Sequence, residues 1–183
     1  MTHHSSDEPA PKIIEVPIDA ETLDALREAA EEAAGMLGLY AAALDPAEIV
    51  RAVDDFVYSL QKERGAEASA KPELQDPESE ESESAAAVLG SLWGQQLVRE
   101  FGWEWANVTF ADYDDAHVVG VFSPDRSLAI YPLLFVFACL ENGADVTIQL
   151  AFELLKDRSR IPELPPGGYE NVMDHVHRIV PHG

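Results

Sequence analysis

Ala85-Ala-Ala-Val-Leu-Gly-Ser-Leu-Trp-Gly-Gln-Gln-Leu-Val-Arg-Glu-Phe-Gly-Trp-Glu-Trp-Ala-Asn-Val-Thr-Phe110 changes its hydrophobic period at one glycine, and that change decides the fold class. Up to Phe101 the apolar residues Val88, Leu89, Leu92, Trp93, Leu97, Val98 and Phe101 recur at steps of three and four, the spacing of one broad helix face. Gly102 follows at the position where a helix most often ends in a left-handed residue. Beyond it the period drops to two. Trp103, Trp105, Asn107 and Thr109 point to one side of a strand, and Glu104, Ala106, Val108 and Phe110 to the other. Gly90 and Gly94 lie four apart on one side of the helix, where glycine costs roughly 1 kcal/mol relative to alanine. Two glycines placed so predict that another backbone packs closely there.

Towards the C-terminus, His117–Phe122 and Ser127–Tyr131 read as two more strands. They are joined by a tight turn, Ser123-Pro-Asp-Arg126, and stopped by Pro132. Short connections make the three strands an antiparallel meander. Helices are expected over Leu133–Glu141, from Asp145 onwards, and from about Tyr169 to His177. Helices covering one face of a small sheet make the class α+β.

Towards the N-terminus, Asp19 reads as an N-cap, and Leu23, Leu26, Ala30, Ala33 and Leu37 form one stripe. Asp45-Pro46 opens a second helix with Ile49, Val50, Val53, Phe56, Val57 and Leu60 as its stripe. The expected organisation is a loose tail with a short extended segment over 1–18, a helical hairpin over 19–64, an acidic flexible linker over 65–84 and a compact α+β domain over 85–183. The linker assignment rests on Glu73, Asp76, Glu78, Glu80, Glu81 and Glu83, with Lys71 as the only base and prolines at 72 and 77.

The chain has 183 residues, of which 46% are apolar, enough for a core. Its 12 Lys and Arg stand against 34 Asp and Glu, a net charge of −22. Such a surface repels phosphate backbones, which argues against nucleic-acid binding, and attracts basic proteins. It also serves plain solubility. The single cysteine, Cys139, lies in the apolar run Leu133–Leu140 and reads as a buried apolar residue rather than a nucleophile. One thiol forms no internal disulfide, and that apolar run is too short to span a bilayer. The start, Met1-Thr-His-His-Ser-Ser-Asp-Glu-Pro, carries no secretory pattern. The expected location is the cytoplasm, with no membrane partner.

Leu89-Gly-Ser-Leu-Trp-Gly94, Leu97-Val-Arg-Glu-Phe-Gly-Trp-Glu-Trp105, the strand ending Ile130-Tyr-Pro132 and the turn Glu141-Asn-Gly143 together resemble an uncharacterised bacterial family, domain of unknown function 3806. The likeness covers about Ala85 to Leu155. It implies a bacterial, intracellular origin and a shared fold. It implies no chemistry, because the family has no assigned activity and its motifs are glycines and apolar residues.

No catalytic residue is singled out. Leu89-Gly-Ser91-Leu-Trp-Gly94 misses the nucleophile elbow, since its second glycine is one residue late and it lies inside a helix. Asp112, Asp114 and Asp115 lack the glycine and terminal glutamate of a calcium loop. His175 and His177 are weak metal candidates: on the expected helix they point about 200° apart, and a zinc site needs three or four ligands. No cofactor is expected. The binding candidates are Trp103, Trp105 and Asn107 on one strand face, Arg126 in the turn, and Tyr169 in a Pro-Pro-Gly-Gly loop. Tryptophan anchors interfaces, but it also fills cores. Arg126 is placed either to orient a carboxylate ligand or to tie down its own turn.

These residues favour a non-enzymatic, acidic protein-binding module, immunity- or antitoxin-like, that neutralises a basic partner. A small-ligand or enzymatic domain with a pocket beside the tryptophan-bearing strand is the alternative, and a structural or regulatory module is the third reading.

Overall fold

The computed structural model describes residues 13–40, 43–70, 78–110 and 116–179. Among them are six α-helices and a five-stranded mixed sheet. The elements run β1 (Ile13–Val16), α1 (Ala20–Met36), α2 (Pro46–Ala70), α3 (Glu78–Phe101), β2 (Glu104–Phe110), β3 (Ala116–Phe122), β4 (Leu128–Ile130), α4 (Pro132–Asn142), α5 (Ile148–Lys156), β5 (Glu170–Asn171) and α6 (Val172–Ile179). The class is α+β, as the change of period predicted. The sheet has five strands rather than three. The extended segment at the start joins it as β1, antiparallel to β2 with Ile13 opposite Phe110, and β5 pairs parallel with β4.

Helix α3 is the centre of the molecule. Leu89, Leu92, Trp93 and Leu97 are buried completely, and α1, α2 and α4 pack around it. The hairpin therefore shares a core with the C-terminal elements. Its first helix is capped as its sequence dictates, with the Asp19 carboxylate accepting from Thr22 N–H at 2.7 Å. A side chain of α2 pins the end of α4: Gln61 donates to the carbonyls of Cys139 at 2.9 Å and Ala144 at 2.7 Å.

The stretch assigned to an acidic linker is helical at both ends: α2 runs on to Ala70 and α3 begins at Glu78, with 71–77 outside the described residues. The acidic residues there are compatible with helix because carboxylates in the first turns face the positive end of the helix dipole. Among the described side chains of the segment, Ser82 faces inward, fully buried and hydrogen-bonded by Arg64.

The glycine pair has a packing cause. A Cβ at Gly90 would stand 2.7 Å from the Leu133 Cα, so the first turn of α4 crosses here backbone to backbone. At Gly94 the obstacle is a side chain: a Cβ would lie 2.3 Å from the Trp105 ring. Gly90 and Gly94 thus mark where α3 is met by α4, through Leu133, and by β2, through Trp105.

The outer sheet face carries its own small core. Ala106, Val108, Phe122, Ala129 and Tyr131 are buried there, with Ile13, Phe110, Val118 and Tyr169 around them. Gly120 leaves room for the rings of Phe122 and Tyr131, which meet edge to face at 5.9 Å. No helix among the described residues is long and apolar enough to cross a membrane.

Candidate functional site

The turn after β3 places Arg126 over the outer sheet face. Arg126 N–H closes the turn onto the Ser123 carbonyl at 2.9 Å, and its φ of 58° is the left-handed conformation. Its guanidinium takes both oxygens of Glu15, at 2.9 and 2.8 Å, and also reaches Glu104 at 2.9 Å and the Ser123 carbonyl at 3.0 Å. Tyr169, at φ 48°, donates its hydroxyl to Glu15 at 2.9 Å and lays its ring against Phe122. The Arg126 hydrogen bond, helped by that of Tyr169, holds the Glu15 carboxyl below its ordinary range, and the pair raises the arginine in turn. Strands β1 and β2, the turn between β3 and β4, and the loop before β5 are tied at this one point. The carboxylate that Arg126 orients belongs to the chain itself, so an external carboxylate would have to displace Glu15. Asp125, its neighbour in the turn, is held by Ser123 and Ser127 instead.

Trp103, Trp105 and Asn107 lie on the opposite, helix-covered side. Trp103 is 3% exposed and packs beside Phe101. Trp105 is half-buried beneath Gly94 and lines a crevice of about 190 Å³ with Leu23, Leu26, Arg27 and Gln95. Asn107 pairs with Val16 and Val119 in the sheet. The five binding candidates are thus divided between two faces of one sheet and do not line a common cavity.

His175 is buried in α6 with Nε2 3.2 Å from the Glu170 carboxylate, while the His177 side chain lies outside the described residues. No group of three or more metal-ligating side chains occurs among the described residues, and Asp112, Asp114, Asp115 and His182 lie outside them. Burial pushes the Cys139 thiol up to about 12, which keeps it a thiol. His117 Nδ1 sits 3.2 Å from the Thr109 hydroxyl.

Two surface grooves among the described residues are lined mainly by apolar surface. One, of about 390 Å³, runs between α3, α4 and β3, with Ala86, Leu133, Leu134 and Phe137 as its apolar lining and Glu83 and His117 at its rim. The other, of about 690 Å³, lies where the last turns of α1 meet the first half of α3. Met36, Ala85 and Val88 line it, between Glu32 on one side and Glu80 and Glu81 on the other. Those three carboxylates are exposed, and none has an ion-pair partner among the described residues. The sequence reading missed this groove because it treated Glu80 and Glu81 as linker. The usable signal was Pro77 followed by an acidic first turn and the Ala85–Ala87 run, a helix start.

The chain matches no protein-family model, no curated protein and no solved structure.

Proposed function

We propose that the chain is a non-enzymatic binding module for a basic protein partner, acting in the manner of an immunity or antitoxin protein. The observation that carries this reading is the α1–α3 groove, an apolar floor flanked by carboxylates that have no counter-ion among the described residues. A net charge of −22 supplies the long-range half of the same recognition. Charge of one sign speeds encounter with an oppositely charged partner and makes the association salt-sensitive, while apolar burial at the contact supplies lasting affinity. Low-salt affinity capture from the native host tests the reading. It expects a basic protein that elutes as salt rises and whose own activity the chain suppresses. Recovery of acidic proteins alone would sink it.

A small-ligand role has one observation behind it, the groove of about 390 Å³ beside Leu133 and Phe137, a size common for ligand sites. A thermal-shift screen over metabolites checks it, because a ligand of the folded state raises apparent stability. A flat screen removes it.

A further inference from the structure

The α1–α3 groove constrains the shape of its occupant as well as its charge. Leu23, Leu26 and Arg27 of α1 lie beside Ser91, Gln95 and Val98, whereas Glu32 and Met36 lie beside Glu80 to Val88, so the two helices run antiparallel. A seam between antiparallel helices offers no continuous ladder of backbone donors and acceptors, since outside the terminal turns these are spent within each helix. It cannot extend an incoming strand by hydrogen bonding, as a sheet edge does. What it offers is an apolar trough: Met36, 49% exposed, with Ala85 and Val88. Methionine is flexible and polarisable, so it moulds to an inserted side chain. The small Ala85 and Ala87 keep the α3 side of the trough shallow. The walls are Glu32 on α1 and Glu80 and Glu81 on α3, and among the described residues no Lys, Arg or His lines the groove. A second copy of this chain brings another −22 and is repelled.

The geometry points to one occupant: an amphipathic helix of the basic partner. Its apolar stripe, at steps of three and four, seats against Met36, Ala85 and Val88. Its flanking Lys and Arg residues face Glu32 on one side and Glu80 and Glu81 on the other. This inference rests on the basic-partner reading and adds the place and form of contact.

A labelled peptide of leucine and lysine arranged as an amphipathic helix is the probe. The control has the same composition, shuffled so that leucine and lysine do not segregate on a helix. Both are titrated at low salt against the full chain, with binding read by fluorescence anisotropy and helix content by circular dichroism. The expected result is binding about tenfold or more tighter for the amphipathic peptide, with helix gained on binding. Met36→Gln removes most of that preference. The combination Glu32→Lys, Glu80→Lys, Glu81→Lys removes binding altogether, and Glu153→Lys, on the exposed side of α5, leaves it unchanged. Thermal melts of each variant verify folding. Equal binding of both peptides overturns the helix-in-groove inference and leaves the basic-partner reading standing. Full binding by the triple variant overturns the choice of groove. Failure of both peptides to bind at low salt overturns both.

Discussion

Glu15 and Arg126, 111 positions apart in the chain, meet in a two-point ion pair at 2.8 and 2.9 Å. The pair fastens the edge strand β1 to the turn between β3 and β4, and Tyr169 closes it from the loop before β5. The side chains of Arg126 and Glu15 are only 20% and 27% exposed, so water screens the contact less than it would a surface pair. Glu15→Gln should therefore cost about 1–2 kcal/mol at neutral pH, in the range of hydrogen bonds to charged groups. Glu15 titrates lower in the folded chain than its ordinary 4.5, so its contribution is complete above that value and fades as pH falls through the lower, folded one. Urea unfolding of wild type and variant at pH 7 and in acid measures this. The gap should narrow in acid; a gap independent of pH contradicts it.

Gly90→Ala should destabilise despite the better helix propensity of alanine. The gain of about 1 kcal/mol is outweighed because the Leu133 backbone cannot move away, and overpacking of this kind costs about 1–3 kcal/mol. Gly65→Ala, in α2 with nothing within 4 Å of the new Cβ, should stabilise by up to about 1 kcal/mol. Gly94→Ala should be costly alone and largely rescued by a smaller residue at Trp105. Melting temperatures of the set decide it. Equal effects at positions 65 and 90 would refute the close crossing.

The crossing also shows how far the sequence could be read. Glycine spacing on α3 announced a close neighbour, and the period change at Gly102 announced the strand, because both patterns are local. Pairing of β1 with β2 was not legible: Ile13 and Phe110 are brought together only by the packing of three intervening helices. The two-residue β5 has too short a pattern to show any period. Glu80, Glu81 and Glu83 read as solvated, which they are, but solvation does not distinguish a linker from an exposed helix face. Arg126 and Tyr169 were visible as candidates while their partner Glu15 was not. Trp103 and Trp105 could equally fill a core or a contact surface until the sheet face was known.

Asp54, on α2, accepts the Gln149 N–H at 2.9 Å and so caps α5 from another helix. Burial raises its pKa, an effect that this backbone bond only partly offsets. The ionised group therefore carries a cost above its folded pKa that is relieved as pH falls through it. Asp54→Asn keeps an acceptor without the charge and should match or exceed wild-type stability at neutral pH. Asp54→Ala should lose about 1 kcal/mol with the cap. Denaturant midpoints at neutral pH check the order; an Asn variant as weak as the Ala variant would contradict it.

Cys139, with its thiol pushed up to about 12 by burial, should resist a thiol reagent at pH 8 in the folded chain and react at once in denaturant. Absorbance of the released chromophore follows both. Rapid labelling of the native chain would show that α4 opens readily from the core.

The most direct test of the binding role is a side-by-side capture from the native host at low salt, using wild type and the chain with Glu32→Lys, Glu80→Lys and Glu81→Lys. Predicted is a basic protein held by wild type and released by salt, absent from the variant, with both chains melting at the same temperature. The same protein held equally by both would contradict the assignment of this groove as the binding site.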